Sequence, residues 1–381
     1  MKYVRKTNEK GITLIALCIT LIILIILSGI SVSAIAGKNG IISKVEEAIS
    51  KTKEAYENEN KEIANISDEI LQQITGTEII NGAPIPTGYY YVGGTRESGV
   101  VISDDIRDKE KYKGQNDVGN ELNGNQWVWV PLEDPRNYYK IDENGIRLFE
   151  GSDVKTHKYT SDYIKERSIP GKKGGYREPE IVYRYDNDNT ATMAGYSDLE
   201  EMAKFMSKEY NDMIESLEKY NGFYIGRYEL SENGEKKGIT KNNITWYEMY
   251  KNARELSKNE ESITSMIWGL QWDATCKWLE KNGYNMEDAS NWGNYTEDES
   301  GNIIYGETGL NEKYKANNIY DFAGNYSEWT QEACNVLHRT ATDIKDWNNS
   351  NTPLNRSPHR APGDKYFNVG TRAILIVKWA G

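Results

Sequence analysis

The chain has 381 residues, room for one large or two ordinary domains, and its 38% hydrophobic and 27% charged residues are typical of a folded protein. These values exclude a disordered tail and a collagen-like fibre. The net charge of -12 gives no overall basic field, and no local basic patch stands out, so we expect no nucleic-acid partner. Three cysteines and three histidines are too few for a disulfide framework or a multi-histidine metal centre.

The beginning of the chain is typical of a membrane anchor. No charged residue occurs from Ile12 to Ala36, and this apolar run is long enough for a helix to cross the ~30 Å hydrocarbon core of a bilayer. The leader at residues 1–11 is basic, which by the positive-inside rule places the N-terminus in the cytoplasm. We therefore expect a single-pass protein of the cell membrane with an extracellular head. A cleaved secretory signal is the alternative, although the apolar run exceeds a usual signal core.

The segment KGITLI, residues 10–15, together with the apolar run after it resembles the prepilin signal of type IV pilins and pseudopilins. The resemblance implies cleavage after Gly11, which is the candidate processing residue. Ala16 stands at the fifth mature position, where pilins that polymerise usually have a glutamate. This departure does not favour assembly into a filament, so a minor pilin or pseudopilin subunit is kept as an alternative function.

A polar helix is predicted after the anchor, and it forms a stalk. Its mostly apolar stripe follows alternating four- and three-residue steps, at Val45, Ile49, Thr52, Tyr56, Glu59, Ile63, Ile66 and Ile70. Thr75-Gly76 and the Gly-Pro cluster at 82–86 end the helix, because proline and glycine interrupt helices. The predicted organisation is a cytoplasmic leader at 1–11, a transmembrane helix at 12–36, a helical stalk at 37–76, connecting strands at 77–123, and a head at 124–381 with an insertion at about 142–220.

The head mixes short strands with helices. Aromatic and β-branched runs predict strands at 89–92, 100–102, 127–130, 223–225 and 373–377. Helices are predicted at 197–220, opened by a Ser197-x-x-Glu200 capping box, at 245–257 and at 265–281. The Asp186-Asn187-Asp188 run begins like a calcium loop but lacks the required glycine and glutamate, so it predicts a polar turn. Because strands and helices do not alternate regularly, we expect an α+β fold.

Five segments of the head, in order, resemble the formylglycine-generating enzyme family, also called the sulfatase-modifying factor family. They are GNQWVWVP at 124–131, GFYIGRYE at 222–229, ITWYE at 244–248, NIYDFAGNYSEWT at 318–330 and VGTR at 369–372. The resemblance implies a variant of the C-type lectin fold. Members of the family bind calcium near the fourth segment, so Asn325 and Glu328 are candidate calcium ligands. A turn held by hydrogen bonds of the same side chains is the alternative, because two side-chain oxygens do not fill a six- to eight-coordinate site.

The catalytic features of that family are missing from the sequence. Its oxidase chemistry resembles a copper-thiolate mechanism with two cysteines after the fourth segment, but no cysteine occurs between Arg339 and Arg372. Cys276 falls in a predicted helix, where a buried thiol acting as a small hydrophobe is expected. No carboxylate stands in an apolar sequence setting that would tune it for acid-base catalysis. We expect a protein that is not an enzyme and needs no cofactor, and an extracellular oxidase of this type is the second alternative.

The C-terminal stretch at 333–377 has an unusual composition. It contains no glutamate, glutamine or methionine, and only Lys345, Trp347 and Lys365 fall outside the fifteen amino acids encoded by codons that end in a pyrimidine. Random replacement of adenines in AAY codons yields this set. Residues 333–372 therefore resemble the variable region of proteins diversified by retroelements, and a chance composition of a loop-rich end is the alternative.

This second resemblance implies a ligand surface at the C-terminal end of the lectin-like head. Aromatic anchors mixed with adaptable hydrogen-bonding groups on irregular chain suit such a surface. The candidate ligand-binding residues are Asn335, Leu337, His338, Thr340, Thr342, Asp343, Ile344, Asp346, Trp347, Asn348, Ser357, His359, Arg360, Asp364, Tyr366 and Phe367. We expect a membrane-anchored cell-surface binding protein, of the adhesin or receptor type, whose partner is a protein or glycan on another cell or a phage.

Overall fold

The computed structural model describes residues 51, 63, 65–133, 135, 139–141, 147–149, 176–177, 187–334, 339–342, 353, 356–357 and 362–378. The chain divides into a unit that ends at Ser67 and a unit from Asp68 to Gly381, which holds nearly all of these residues. The predicted processing residue Gly11 and the predicted membrane span lie outside the described residues. Within the described ranges no helix is long and apolar enough to cross a bilayer.

The second unit contains strands and helices of very different lengths. In chain order the elements are β1 (Glu78–Ile80), β2 (Ala83–Ile85), β3 (Tyr90–Gly93), β4 (Val101–Ser103), β5 (Gln126–Pro131), β6 (Tyr139–Ile141), β7 (Arg147–Phe149), β8 (Tyr176–Arg177), α1 (Asp188–Met193), α2 (Leu199–Tyr220), β9 (Gly222–Gly226), β10 (Gly238–Ile239), α3 (Trp246–Arg254), β11 (Ser262–Met266), α4 (Gly269–Lys281), β12 (Glu307–Thr308), β13 (Lys315–Ala316), β14 (Ile319–Tyr320), β15 (Ser327–Cys334), β16 (Arg339–Thr342), β17 (Arg356–Ser357), β18 (Val369–Thr371) and β19 (Ala373–Val377). Helices and strands are mixed without a regular βαβ alternation, which is compatible with the predicted α+β class.

The unit begins with helical residues 68–75, and the helix ends at Thr75 before Gly76, as the sequence predicts. A hairpin of β1 and β2 follows, and its turn residues Asn81 and Gly82 both have positive φ, as two-residue hairpin turns require. The amide of Gly82 donates a hydrogen bond of 3.0 Å to the Asp68 carboxylate. The helix end and the hairpin are thereby tied together.

The largest sheet has six antiparallel strands in the order β11-β19-β9-β5-β4-β3. The aromatic and β-branched runs predict five of these strands. The sixth, β11, corrects the sequence analysis, because Ser265 and Met266 were predicted to begin a helix and instead pair with β19. Strands β3 and β4 come from the region predicted as connecting strands, and they belong to the same sheet as β5.

Helix α2 corrects the predicted capping box by one residue. The cap is Asp198 rather than Ser197, because the Asp198 carboxylate accepts the Glu201 amide at 2.8 Å. The Glu201 carboxylate in turn accepts the Ser197 amide at 2.7 Å. Adjacent Ser and Asp residues both suit the cap position, so sequence alone did not separate them.

Two other helix starts follow from short polar residues. Asn187 accepts the amides of Asn189 and Thr190, so the run predicted as a polar turn opens helix α1 instead. Thr245 and Glu248 form the capping box of α3, where the helix was predicted to begin. This helix ends at Arg254, before the predicted end at residue 257.

The main hydrophobic core lies between the six-stranded sheet and helices α2 and α4. Ile214 and Leu217 of α2 pack in one cluster with Val130 and Ile225 of the sheet. The C-terminal part of the predicted insertion therefore contributes to the core of the head. Cys276 of α4 is fully buried in this core, as predicted.

A second sheet positions the C-terminal segment. Its strands follow the order β17-β16-β15-β18, and β8 also pairs with β15. Strands β15 and β18 run parallel, with Glu328 opposite Gly370, whereas β16 pairs with β15 in the antiparallel direction. The fourth and fifth family-like segments therefore lie side by side in one sheet.

Candidate ligand-binding surface

The structure places six of the sixteen candidate ligand residues. Thr340 and Thr342 lie in β16, Ser357 lies in the neighbouring strand β17, and Asp364, Tyr366 and Phe367 lie on the segment before β18. The two strands and the segment belong to the same C-terminal part of the fold. The other ten candidates lie outside the described residues: Asn335, Leu337, His338, Asp343, Ile344, Asp346, Trp347, Asn348, His359 and Arg360.

The backbone of residues 362–368 is held by hydrogen bonds from Trp246, at the start of α3, and from Asn243, just before this helix. The Trp246 amide donates to the Pro362 carbonyl at 3.0 Å, and the Asn243 amide donates to the Tyr366 carbonyl at 2.9 Å. These contacts involve main-chain atoms, so they do not depend on which side chains the segment carries. The segment therefore presents its side chains from a fixed path.

An aromatic patch, defined here as Tyr305, Tyr326 and Phe367, forms the exposed part of the surface. Phe367 is 68% exposed, and its ring lies edge-on to Tyr305 with centroids 6.0 Å apart. Tyr305 packs against the buried Tyr326 at 5.1 Å. Edge-to-face and tilted rings at these distances attract one another. The exposed ring is therefore backed by two others.

Two members of the patch, Tyr305 and Tyr326, were missed as site residues. Tyr305 lies in the loop before β12, which carries no motif, and it reaches Phe367 only through the folding of distant segments. The abundance of tyrosine, 27 residues against 5 phenylalanines, was the one available signal for such a surface. That signal does not single out any position.

Tyr366 supports the segment. Its half-buried ring packs against Trp329 with centroids 5.9 Å apart, at an angle of 61°. Its hydroxyl lies 3.4 Å from the carboxylate of the exposed Asp364, to which it donates a hydrogen bond. Of the three candidates on this segment, Asp364 and Phe367 are the two that solvent reaches freely.

A carboxylate network, defined as Glu229, Glu235, Asp321, Glu328 and Arg372, lies beneath the patch. None of these side chains is more than 2% exposed. Arg372 donates to Glu328 at 3.0 Å, and its charge also acts on the other three carboxyl groups. Four acidic groups therefore share one buried guanidinium.

Burial dominates the protonation of this network. It raises the pKa of Glu235 to about 8 and that of Glu328 to about 7, although the charge of Arg372 lowers both. The pKa of Glu229 is raised well above its ordinary value by burial and by the charges of Glu328 and Asp321. No carboxylate stands in an apolar stretch of the sequence, but the fold gives these four a buried setting. Residues far apart in the sequence create that setting only when the chain folds.

The two candidate calcium ligands belong to this buried region. Asn325 adopts a left-handed backbone with φ 59°, its amide nitrogen donates to Glu229 at 2.6 Å, and its amide oxygen accepts the Gly306 amide at 2.9 Å. Glu328 pairs with Arg372. In the part of the chain that the structure describes, no three or more His, Cys, Asp or Glu side chains are arranged to hold a metal ion. Calcium binding by Asn325 and Glu328 stays a prediction.

Tyr326 connects the network to the patch. Its backbone amide donates to Glu229 at 3.1 Å, while its ring contacts Tyr305. The exposed ring of Phe367 is therefore supported by a series of contacts that ends at the carboxylate network.

Comparisons with known proteins do not assign the chain to a family. It matches no protein-family model, and no curated protein or solved structure is found to be similar to it. The resemblances to the formylglycine-generating enzyme family, to prepilins and to retroelement-diversified proteins remain predictions from the residues quoted above.

Proposed function

We propose that the protein is a membrane-anchored cell-surface binding protein whose head contacts its ligand through residues of the C-terminal segment, 335–367. The observation that carries the proposal is the exposure of Phe367. Its large ring is 68% exposed, and the backbone of the segment that carries it is held by hydrogen bonds. The proposal includes diversification of this segment by a retroelement, which its composition supports.

A ring that is already held in place lowers the entropy cost of binding. A ring already positioned by Tyr305 and Tyr326 loses little freedom when a partner covers it, so more of the contact energy appears as affinity. Asp364 is exposed close by in the segment and adds hydrogen-bond acceptors beside the ring. An aromatic anchor with adaptable polar neighbours is the combination that antibody loops use for partners of different shapes.

The predicted anchor and stalk complete this function. Many heads tethered to one membrane raise the effective concentration of each for a surface that carries repeated ligands. Individual contacts of modest affinity then suffice for adhesion. The partner class is a protein or glycan on another cell or on a phage.

The test uses the full chain displayed on bacterial cells and two probes, an immobilised glycan array and a set of phage particles. We expect Phe367→Ala to weaken binding to at least one probe by about tenfold, as loss of an aromatic anchor does at other interfaces. Leu310→Ala is the matched control, because Leu310 is similarly exposed, at 59%, and lies outside the segment. Equal effects of the two substitutions, or no binding of either probe, would contradict the proposal.

Two results would instead favour the alternatives. Recovery of the chain in filaments sheared from the cell surface would support a minor pilin. Copper-dependent oxidation of a sulfatase peptide, abolished by Cys276→Ser or Cys334→Ser, would support the oxidase.

A further inference from the structure

A cavity of about 240 Å³ lies between α2, the loop after α3, strand β11 and Lys378. This volume is much larger than one water molecule needs and slightly below that of pockets which bury drug-sized ligands. Its wall carries three cationic side chains, Lys208, Arg254 and Lys378, and the hydroxyl groups of Ser257, Ser262 and Thr264. The size and the polar wall suit a small, hydrophilic molecule.

Arg254 is held in place by aromatic rings. Its guanidinium carbon lies 4.2 Å from the ring centre of Phe205, 4.5 Å from that of Tyr196 and 5.3 Å from that of Tyr250. Among the described residues its one hydrogen-bond partner is the carbonyl of Ala194, at 3.3 Å from one terminal nitrogen. A guanidinium has five N–H donors in a rigid fork that matches the oxygens of a carboxylate, sulfate or phosphate. Four of the five N–H groups of Arg254, which lines the cavity, have no hydrogen-bond partner among the described residues.

The acidic side chains of the wall do not cancel its positive charge. Asp212 is paired with Lys208 at 2.5 Å. Glu209 is almost fully buried, and its oxygens accept hydrogen bonds from Ser265 at 2.6 Å and Tyr250 at 2.9 Å. Three cations against two carboxyl groups leave the wall with a net positive charge even when Glu209 is ionised. The charge contrasts with the net -12 of the whole chain.

We propose that this cavity binds a small molecule through an oxyanion group, a carboxylate, sulfate or phosphate. Arg254 provides the planar fork, and Lys208 and Lys378 provide the neighbouring charges. A larger cavity of about 490 Å³ also contacts Lys378, but Glu78 and Glu261 line it and oppose an anion. The proposal concerns residues outside the C-terminal segment and does not rest on the proposed function.

The test is isothermal titration of the full chain in detergent micelles with sodium sulfate, sodium phosphate and sodium glucuronate, at an ionic strength fixed with chloride. Glucose serves as the neutral probe. We expect saturable binding of at least one oxyanion and none of glucose. Sulfate or phosphate alone would identify an inorganic ion as the ligand, and tighter binding of glucuronate would identify an acidic sugar.

Three variants locate the site. Arg254→Lys keeps the charge but removes the fork, and we expect it to weaken binding by about tenfold or more. The double variant Lys208→Gln, Lys378→Gln alters the rim of the cavity without touching the aromatic rings, and we expect a loss of about threefold to tenfold. Lys204→Gln, on the exposed face of α2 outside the cavity, is the matched control and should bind like the unaltered chain.

The double variant decides the outcome if Arg254→Lys fails to fold. No saturable binding of any oxyanion would overturn the proposal. Binding that the double variant leaves unchanged, or that Lys204→Gln weakens equally, would overturn it as well.

Discussion

The carboxylate network and the aromatic patch meet at Tyr326 but are built in opposite ways. The network places ionisable groups where water does not reach them, with exposures of 2% or less, whereas the patch places a large apolar ring in water. Each arrangement is unfavourable when taken alone, because buried charges lose hydration and exposed rings do not gain from burial. The difference indicates a division of roles between them.

The network connects segments that are distant in the chain. Glu229 and Glu235 follow β9, Asp321 and Glu328 come from the fourth family-like segment, and Arg372 stands between β18 and β19. The patch depends on these segments, but the network does not depend on Phe367. We therefore expect substitutions in the network to change stability and substitutions at Phe367 to change binding.

The largest effect is expected at the centre of the network. Arg372→Met leaves Glu328 without its buried cation, and removal of one partner of a buried ion pair costs about 3–5 kcal/mol. Urea unfolding of the full chain, followed by tryptophan fluorescence, measures this loss. Arg107→Met is the matched control, because Arg107 forms a solvent-exposed pair with Asp105, and exposed pairs contribute little to stability. Similar losses of stability in both variants would contradict the claim that the network contributes more to stability than an exposed ion pair.

A second substitution tests how tightly the network is packed. A Cβ atom at Gly226 would overlap the Glu235 carboxylate, so Gly226→Ala must displace it, and overpacking of this kind costs about 1–3 kcal/mol. The control is Gly306→Ala, because nothing lies within 4 Å of a Cβ at Gly306. The same unfolding measurement compares the two variants. A tolerated Gly226→Ala would show that the carboxylate can move freely.

The network also predicts how stability depends on pH. Because burial raises the pKa of Glu235 to about 8 and that of Glu328 to about 7, these two groups hold more protons in the folded chain than in the unfolded chain between about pH 4.5 and pH 8. Stability from these groups is therefore present at low pH and is lost as the pH rises toward 8. The urea midpoint should be lower at pH 8.5 than at pH 5.5. Glu235→Gln should reduce this slope, and an unchanged slope would contradict the assignment.

The smallest effect on stability is expected at the patch. Phe367→Ala removes an exposed ring, so the free energy of unfolding should change by less than about 0.5 kcal/mol. Tyr326→Ala should lower both stability and binding, because Tyr326 is buried and its ring supports Tyr305. Unfolding and glycan-array or phage binding measured on the same samples separate the two roles. A large loss of stability in Phe367→Ala would mean that the patch is structural.

Local sequence patterns predicted the three longer helices and five of the six strands of the largest sheet, but they missed β15, the longest described strand, and the strands of two residues. Helices α2, α3 and α4 carry apolar spacing or capping residues, and β5, β9 and β19 are continuous aromatic or β-branched runs. Strands of two residues, such as β10 and β12, pair only because distant segments bring them together. No local pattern marks such elements.

The candidate site, like the fold, was only partly predicted from the sequence. The unusual composition, which lacks glutamate, is visible in one continuous stretch of the sequence. It therefore pointed to the C-terminal segment, which contains Phe367. The aromatic patch also needs Tyr305, which reaches Phe367 only through a tertiary contact. The network needs Glu229, which reaches Tyr326 in the same way. Burial of a carboxylate cannot be predicted from its neighbours in sequence when the residues around it come from three separate segments.

The most direct test of the central claim is to sequence many sibling copies of the gene and compare their substitutions by position. The central claim is that a variable ligand surface is supported by the invariant carboxylate network. It predicts that substitutions are concentrated in codons 335–367, including those of Asp364, Tyr366 and Phe367. A nearby template copy that differs at adenines and lies beside a reverse-transcriptase gene is also predicted. Glu229, Glu328 and Arg372 should not vary. Substitutions spread evenly over the head, or frequent at Arg372 and Glu328, would contradict the claim.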